Sequence, residues 1–289
     1  MKKYLIDFDT QLNPILHGKI DLFQVGRMFS NTDTVIKQHT HPNLFELTIV
    51  LDGTGTITTN NIPVKVKKND IFLSFPYDIH EIISDQNNPL KYDFLSFNSS
   101  ESFLAENLKK ISLLFMQPEK RIFSSSKIQY LTNVLLAEKI NDSILKTEMI
   151  SSLLEIIVLY TISAFLDNNS STNKLTPSLH EELCFMIMSY INSNIFTMTN
   201  LKELTKITNY SYPYISSVFH KTTSMSLLEY YHFQRLEKAK ELIQENNYSL
   251  TTIAYKLNYT SIYSFSKAFK KLYGHSPQEY KKLYKQKNT

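Results

Sequence analysis

The stretch NYSYPYISSVFHK, residues 209–221, has a close counterpart further along the chain in NYTSIYSFSKAFKK, residues 258–271. In both places an Asn-Tyr pair follows a short helical pattern and precedes a longer one. Asparagine tolerates the left-handed backbone conformation that a tight corner needs. Each stretch therefore predicts two helices joined by a sharp turn, and the chain builds this small unit twice.

The two units align residue by residue, with Leu204 on Ile253 and Asn209 on Asn258. One extra residue in the second turn then brings the apolar positions of the two longer helices into register. These positions are Ile215, Val218 and Phe219 in the first unit and Phe265, Ala268 and Phe269 in the second. Their spacing of three and four residues predicts one buried stripe on each helix, which leaves the opposite face free.

The free faces carry hydroxyls, aromatic rings and lysines and lack acidic residues, as a helix in the major groove of DNA requires. The candidates for base contacts are Tyr212, Pro213, Ser216 and Ser217 in the first unit and Ile262, Tyr263, Ser264 and Lys267 in the second. The candidates for phosphate contacts, nearer the helix ends, are His220, Lys221, Lys270 and Lys271. The alternative is a helical bundle that merely exposes hydroxyls.

Charge is distributed unevenly along the chain. Residues 1–175 contain 17 Lys and Arg against 19 Asp and Glu, a net charge of −2, whereas residues 176–289 contain 14 against 8, a net charge of +6. Basic residues that displace phosphate counterions supply most of the sequence-independent affinity for nucleic acid. The asymmetry favours double-stranded DNA as the partner of the C-terminal part, although a solvated lysine-rich surface has the same composition.

A chain of 289 residues suits two domains, each with its own core. The polar segment rich in Asn and Ser predicts a linker over residues 167–178. We expect one domain over residues 1–166 and a second over residues 179–289. The whole is predicted to be an α+β protein, with a β-barrel and helices in the first domain and helices alone in the second.

Short alternating runs of apolar and polar residues, broken by turn pairs such as Asp-Gly and Asn-Asp, predict antiparallel strands over residues 20–98. Several such strands at this spacing suggest a small barrel or jelly roll. From residue 101 to residue 166 the period changes to three and four, which predicts two or three helices. Their apolar positions exceed what packing on one barrel face consumes, so we expect residues 127–166 to form a homodimer interface.

The C-terminal residues resemble the DNA-binding domain of AraC/XylS-type bacterial transcription regulators. The resemblance covers residues 201–282 and rests on an Arg-Leu-x-x-Ala-x-x-Leu string at 235–242, the Ile-Ala pair at 253–254 and the Phe-Lys-Lys…Gly-x-x-Pro-x-x-Tyr pattern that ends at residue 280. It implies two recognition helices in successive major grooves, bridged by a long helix. The sequence departs from the family at Ser224 and Asn258, where glycine is usual, and at Ser217, where arginine is common.

The strand-rich part resembles a cupin barrel over residues 20–98. His39, His41, Glu46 and Gly53 keep the spacing of the first cupin motif, and Asp70, Pro76 and His80 are similar to the second. The resemblance implies a metal-ligand set, for which the candidates are His39, His41, Glu46 and His80. Imidazole and carboxylate together suit divalent iron, manganese or nickel. Asp33 and Asn69 replace the glycines that usually open the two motifs, which weakens the case for a metal.

Three interpretations of the barrel stay open: a small-molecule effector site, a structural remnant of the motif, or a metal centre. AraC-type regulators commonly keep remnants of the motif without metal, so we expect an effector site and no cofactor. The predicted effector contacts are Arg27, His41, Glu46 and His80, which combine a cation, a carboxylate and two titratable donors. Sugars and other hydroxylated metabolites use such groups.

The leading hypothesis is a transcription regulator without enzymatic activity, controlled by a small-molecule effector such as a sugar or related metabolite. Its rival is a cupin metalloenzyme, such as an isomerase or dioxygenase, with a helical appendage. An enzyme would not need two helix-turn-helix units with bare faces. We expect RNA polymerase as a further partner.

Cysteine content and hydropathy favour the cytoplasm and no membrane partner. The single Cys184 cannot form an intramolecular disulfide, and the N-terminal residues lack the apolar run of a secretory signal. The most apolar stretch, residues 149–166, carries Glu155 and scattered hydroxyls. We interpret it as a buried or interface helix.

Overall fold

A computed structural model describes residues 3–9, 15–30, 34–41, 43–167 and 177–287. The chain divides into two compact units, residues 1–182 and residues 183–289. Most of the predicted linker, residues 167–178, lies outside the described residues, so the predicted domain boundaries stay a prediction. The two units are described one at a time.

The first unit is built from antiparallel strands in two sheets, as the alternating sequence predicts. Its described strands are β1 (Lys3–Asp9), β2 (Ile15–His17), β3 (Ile20–Phe29), β4 (Val35–His39), β5 (Phe45–Asp52), β6 (Thr54–Thr59), β7 (Ile62–Lys67), β8 (Ile71–Ser74), β9 (His80–Ser84), β10 (Lys91–Asn98) and β11 (Ile122–Phe123). The larger sheet has the order β1-β3-β10-β5-β8-β11, with β2 also paired to β3, and the smaller has the order β4-β9-β6-β7. Strands β1 and β2 precede the region in which strands were predicted.

Alternation along β5 shows how the larger sheet separates two cores. Phe45, Leu47 and Ile49 face a core shared with the helices, whereas Val50 packs with residues of the smaller sheet such as Ile57 and Ile82. Successive side chains of a strand point to opposite faces. Glu46 lies between Phe45 and Leu47 and therefore faces the space between the two sheets.

Three helices cover the other face of the larger sheet. They are α1 (Ser102–Leu114), α2 (Ser126–Ile140) and α3 (Lys146–Leu166). By length and composition α3 could cross a membrane, with a mean hydropathy of 2.0. Its buried residues, among them Leu154 and Val158, pack against the sheet and the other helices in one core, where a central helix of a globular domain lies. The interpretation of residues 149–166 as a buried or interface helix agrees with this burial.

The second unit contains only helices among its described residues. They are α4 (Leu179–Ser193), whose first four residues precede the boundary at residue 183, α5 (Leu204–Thr208), α6 (Tyr212–Thr223), α7 (Leu227–Glu245), α8 (Leu250–Lys256), α9 (Ile262–Tyr273) and α10 (Pro277–Lys287). Helices α5 and α6 form the first helix-turn-helix unit, and α8 and α9 form the second. Pro277 begins α10, where a missing amide donor costs nothing.

The corners of both units adopt the left-handed conformation predicted for asparagine. Asn209 and Asn258 both have φ of 58°. Ser224 ends α6 with φ of 56°, and Gly274 ends α9 with φ of 78°. Ser224 and Asn258, the two positions where glycine is usual in the AraC/XylS-type pattern, therefore adopt the left-handed conformation without glycine.

Helix α7 joins the two helix-turn-helix units through a buried middle turn. The Arg235 guanidinium lies 4.0 Å from the ring centroid of Tyr259 and 5.1 Å from that of Tyr231. The Tyr231 hydroxyl donates to the Met198 carbonyl oxygen at 2.5 Å, and the Asn258 side chain donates to the same oxygen at 3.2 Å. These contacts fix the second corner against α7 and against the segment that precedes α5.

Candidate functional site

The first recognition helix, α6, exposes the face predicted from the sequence. Ile215, Val218 and Phe219 are buried, which turns the opposite face outward. None of the six predicted contact residues on α6 is buried; they are Tyr212, Pro213, Ser216, Ser217, His220 and Lys221. Ser211 stands at the N-cap, but its hydroxyl makes no capping bond. This helix start therefore keeps a side-chain hydroxyl that is not used for capping.

The second recognition helix, α9, presents a similar face. Phe265 and Phe269 are fully buried, and Ala268 is half-buried. The predicted contact residues are again all accessible to some degree: Ile262, Tyr263, Ser264, Lys267, Lys270 and Lys271. Tyr263 is 83% exposed, although it is a large ring. This ring is therefore accessible to a partner surface.

Ser264 has a local role that the sequence analysis did not assign. Its hydroxyl donates to the Ser261 carbonyl oxygen at 2.8 Å and accepts from the Ser261 amide at 3.3 Å, while its own amide donates to the Ser261 hydroxyl. This is a capping box. Ser264 thus stabilises the start of α9, and its hydroxyl is less free for a base than predicted.

Two exposed tyrosines beside α6 were missed from the sequence. The rings of Tyr210, in the turn, and Tyr214, in α6, lie 4.8 Å apart between centroids at a tilt of 35°. Their exposed fractions are 45% and 40%. The sequence signal that could have identified this pair is the spacing of four residues between the two tyrosines, because side chains four positions apart lie on the same side of a helix.

The three predicted ligand histidines of the first unit meet at one end of the space between the sheets. His39 on β4 and His80 on β9 occupy paired positions, and His41 follows β4. Their ring centroids are 4.2 Å apart for His39 and His80, 4.9 Å for His39 and His41, and 5.5 Å for His41 and His80. One potential ligand atom from each histidine lies within 4.8 Å of the others.

Glu46 completes this group from the larger sheet. Its Oε2 lies 3.3 Å from His41 Nε2, and its Oε1 lies 3.5 Å from His80 Nε2. The Ser96 hydroxyl, from the neighbouring strand β10, donates to Glu46 Oε2 at 2.7 Å. We call His39, His41, Glu46 and His80 the histidine–glutamate cluster. Glu46, His41 and His80 are all buried.

The charges inside the cluster depend on one another. Burial alone would raise the pKa of Glu46, but His41 and His80 outweigh it and hold that pKa well below its usual value. Burial opposes the charge of His80 as well, yet Glu46 raises the pKa of His80. Burial, together with His80 and His41, lowers the pKa of His39 well below its usual value. At neutral pH the cluster therefore contains an anionic carboxylate and a neutral His39.

Several buried polar atoms around the cluster have no hydrogen-bond partner among the described residues. They are His41 Nε2, His80 Nε2, and the hydroxyl oxygens of Thr40, Thr59 and Ser74. Ser74 pairs with Glu46 across β8 and β5, and Thr59 pairs with His80 across β6 and β9. Buried polar groups in native proteins are almost always satisfied by protein, water or ligand. This end of the barrel therefore has the chemistry of a polar binding site.

The structure does not bring Arg27 together with the histidines. Arg27 lies on β3 opposite Asp93 of β10 and donates to both carboxylate oxygens of Asp93, at 2.6 and 2.9 Å. It also donates to Asn133 of α2 at 3.1 Å. Its side chain is thus on the helix-covered face of the larger sheet, whereas Glu46 faces the other sheet. The grouping of Arg27 with His41, Glu46 and His80 in one pocket is wrong, because alternation along β3 turns it away.

A buried ion pair next to the cluster was not found from the sequence. Asp78 accepts from the guanidinium of Arg121, from the Asn60 amide at 3.0 Å and from the Phe75 backbone amide at 2.8 Å. Arg121 also donates to the carbonyl oxygens of Phe115 and Met116. No local pattern predicts a pair separated by 43 positions.

Two family models match separate parts of the chain. Residues 25–140 match the model of the AraC-like ligand binding domain, and residues 204–283 match that of a helix-turn-helix domain. The Msm operon regulatory protein of Streptococcus mutans is 27% identical over 240 residues, which cover 81% of this chain and 82% of that protein. The raffinose operon transcriptional regulatory protein RafR of Pediococcus pentosaceus is 25% identical over 238 residues, covering 81% and 83%.

Solved structures agree with the fold. The structure of wild-type ToxT from Vibrio cholerae with a bound unsaturated fatty acid has a TM-score of 0.55 at 13% identity and covers 91% of this chain and 95% of that one. The structure of ToxT from Vibrio cholerae O395 has a TM-score of 0.52 at 13% identity and covers 90% of this chain and 97% of that one. At these identities the likeness concerns the fold alone.

A ligand-binding barrel followed by two helix-turn-helix units with exposed recognition faces defines a DNA-binding transcription regulator. The two relatives described above, which span most of the chain, are named as an operon regulatory protein and an operon transcriptional regulatory protein. The chain belongs to the AraC-type transcription regulators, and the resemblance stated from the sequence is confirmed.

Proposed function

We propose that this protein binds its operator DNA through α6 and α9 and changes that binding when a small hydroxylated molecule occupies the polar end of the barrel. The observation that carries the DNA part is the pair of matched, exposed recognition faces on a unit of positive net charge. Lys267, Lys270 and Lys271 place positive charge along the second face, where phosphate and base edges lie in a groove.

The effector is a sugar or a related metabolite. The groups that support this are the carboxylate of Glu46, the imidazoles of His41 and His80, and the unpartnered hydroxyls of Thr59 and Ser74. Such groups exchange hydrogen bonds with several hydroxyls of one ligand. The name of the raffinose operon regulator, a relative over most of the chain, points to the same class of molecule.

The protein acts as a homodimer in the cytoplasm and contacts RNA polymerase at its promoters. The support for a dimer is a group of exposed apolar side chains on and before α3: Ile144, Leu145, Met149, Ile156 and Leu159. An apolar surface of this kind is usually covered by a partner. We place the effector and dimerisation domain at residues 1–166, the linker at 167–178 and the DNA-binding domain at 179–289.

A cupin metalloenzyme with a helical appendage remains the rival. The relatives that span the chain are regulators, which favours regulation over catalysis. A metalloenzyme would not bind a specific DNA sequence, so the DNA-binding experiment described next distinguishes the two functions.

The test is binding of purified protein to labelled DNA from its own upstream region, with raffinose, galactose or glucose present or absent. We expect one of these sugars to change the affinity at least several-fold. Thr59→Val should abolish the response without changing binding in the absence of sugar. Thr58→Val, on the same strand and less buried, is the matched control and should respond like the parent. Equal affinity with every sugar would exclude this class of effector.

A further inference from the structure

The second corner carries a side chain at a position where the AraC/XylS-type pattern usually has glycine. Asn258 has φ of 58°, the same value as Asn209 at the first corner. Glycine reaches this left-handed conformation without the steric cost of a Cβ atom. The corner itself therefore does not require asparagine, and a role specific to Asn258 belongs to its side-chain amide.

The side-chain amide of Asn258 joins the second corner to the segment that follows α4. Its nitrogen donates to the carbonyl oxygens of Phe196, at 2.9 Å, and of Met198, at 3.2 Å. Both partners can only accept, so the NH2 group and not the amide oxygen faces this segment. We call these two bonds the corner contact. They join residues that are 62 and 60 positions apart in the sequence.

The segment on the accepting side is held in place by other bonds. The backbone amide of Met198 donates to the Asn194 carbonyl oxygen at 2.8 Å, and the Tyr231 hydroxyl of α7 donates to the Met198 carbonyl oxygen at 2.5 Å. Met198 is fully buried, and Tyr231 is nearly so. The corner contact therefore attaches the second corner to a segment that is itself fixed by the end of α4 and by α7.

From the corner, side-chain packing continues into α9. The ring centroid of Tyr259, the residue after Asn258, lies 5.3 Å from that of Phe265, and the centroids of Phe265 and Phe269 are 5.7 Å apart. Phe265 and Phe269 are the fully buried residues of α9. Closely packed side chains transmit a displacement to their neighbours. A shift of the corner therefore also shifts α9.

We propose that Asn258 is a positioning residue for the second recognition helix: the corner contact fixes where α9 lies and so determines which base edges its exposed face reaches. Hydrogen bonds to base edges tolerate a variation of only roughly 0.5 Å in length. Loss of the corner contact should therefore lower base discrimination under α9 before it unfolds the domain. The discrimination rests on the proposed function of α9, whereas the positioning of α9 within the domain does not.

The first corner provides a matched control. Asn209 has the same φ, but it is exposed, and its side chain makes no hydrogen bond with the described residues. Replacing either asparagine by glycine keeps the left-handed turn and increases the freedom of the unfolded chain in the same way. A difference between the two substitutions therefore measures the corner contact.

The test compares the full-length parent with Asn258→Gly, Asn258→Asp and Asn209→Gly. Aspartate has the size of asparagine but, in a mildly alkaline buffer, places a carboxylate against the two carbonyl oxygens. Hydrogen exchange without DNA, measured on peptides that cover α6 and α9, reports how firmly each helix is held. Fluorescence anisotropy then gives the affinity for three duplexes: the cognate site, and the same site scrambled under α6 or under α9.

The half-site under α9 is located by DNA cleavage from an iron chelate attached to Tyr263→Cys. Tyr263 is 83% exposed, and the native Cys184 is buried, so the chelate reacts at the introduced thiol.

We expect exchange in α9 to be about 10-fold faster in Asn258→Gly, and faster still in Asn258→Asp, because two hydrogen bonds are lost. The ratio of the cognate affinity to the affinity for the site scrambled under α9 should fall about 10-fold in Asn258→Gly. The corresponding ratio for the α6 half should stay the same. Asn209→Gly should resemble the parent in both measurements.

A fall in affinity by one common factor on all three duplexes would overturn the proposal, because partial unfolding has that effect. So would unchanged exchange in α9 of Asn258→Gly, or equal effects of Asn258→Gly and Asn209→Gly. If the parent binds all three duplexes equally, the proposed function of α6 and α9 fails, and the exchange measurement alone then decides whether Asn258 positions α9.

Discussion

Arg121 and Asp78 form an ion pair that is almost completely buried, with exposed side-chain fractions of 2% and 3%. The Arg121 guanidinium also lies 3.9 Å from the ring centroid of Phe75. Asp78 precedes His80 by two residues, and Arg121 directly precedes β11, so the pair ties the segment between α1 and α2 to the turn that positions the histidine–glutamate cluster. Removing either partner of a buried ion pair strongly destabilises the folded state, because the remaining charge is left buried without a counter-charge.

We expect Arg121→Ala to lower the free energy of unfolding of the first unit by about 3–5 kcal/mol, because it leaves the Asp78 carboxylate buried and unpaired. Hydrogen exchange in peptides that cover β8 and β9, followed against urea concentration, measures this loss locally. Lys19→Ala is the control, since Lys19 forms an exposed ion pair with Glu155 in the same unit. The control should leave exchange unchanged. Equal effects of the two substitutions would contradict the structural role of Arg121.

Arg27→Met should destabilise the first unit at neutral pH by about 3 kcal/mol, because the fully buried Asp93 loses its partner. Burial raises the pKa of Asp93 even with Arg27 present. A carboxyl whose pKa is raised on folding favours the folded state below its unfolded pKa and loses that contribution as the pH rises through its folded pKa. The defect of Arg27→Met should therefore shrink toward acidic pH.

Thermal unfolding between pH 4 and pH 8 checks the prediction for Arg27. The double variant Arg27→Met, Asp93→Asn removes the buried charge and should lose the pH dependence of the defect. The change in DNA affinity that sugar causes should be the same in Arg27→Met as in the parent, because Arg27 lies on the other face of the sheet. A selective loss of the sugar response in a folded Arg27→Met protein would show that the residue acts at the cluster after all.

Lys267 and Lys271 should contribute to DNA binding in different ways. Lys267 lies on the predicted base-reading face of α9, so Lys267→Ala should cost about 1–3 kcal/mol at a cognate site and relax the preference at one base position. Lys271 lies at the end of α9, so Lys271→Ala should weaken all sequences alike and reduce the salt slope by about 1. Fluorescence anisotropy with cognate and scrambled duplexes at several salt concentrations separates the two effects. An equal loss on both duplexes in Lys267→Ala would mark it as a phosphate contact.

The two recognition helices should also differ in how strictly they select the base sequence of their half-sites. The base-facing residues of α6 include Ser216 and Ser217 but no lysine or arginine, so this helix reads mainly by single hydroxyl bonds, apolar contact and groove shape. We expect its half-site to tolerate A·T variation and the α9 half-site, about 10 base pairs away, to be stricter. Selection of binding sites from randomised duplexes measures the information at each half-site. A stricter half-site under α6 would contradict the assignment.

The dimer should depend on the exposed apolar side chains of α3. Ile156→Glu places a charge on a residue that is 41% exposed, so it should leave folding intact and shift the protein to a monomer in sedimentation equilibrium. Phe103→Glu on α1 is a matched control outside residues 127–166 and should stay dimeric. A parent that is monomeric at high micromolar concentration, with and without effector, would rule out this interface.

The sequence by itself determined the helix-turn-helix units and the strand-rich barrel. The buried stripe of Phe265 and Phe269, the asparagine corners and the termination of α9 by Gly274 are all local, because helical period and backbone conformation are set by residues within one or two turns. The spacing of the histidines with Glu46 likewise identified residues that meet in space. The sequence also singled out faces of α6 and α9 that the structure leaves accessible.

Only the tertiary structure decided what depends on strand register and long-range pairing. The direction of the Arg27 side chain follows from the face that β3 presents to α2, and a shift of one residue would reverse it. The pairing of Asp78 with Arg121 and the bond from Ser96 to Glu46 join residues 43 and 50 positions apart. Packing also decides whether the nitrogen atoms of the histidines have hydrogen-bond partners within the protein. That difference distinguishes a remnant from a binding site, and no local pattern encodes it.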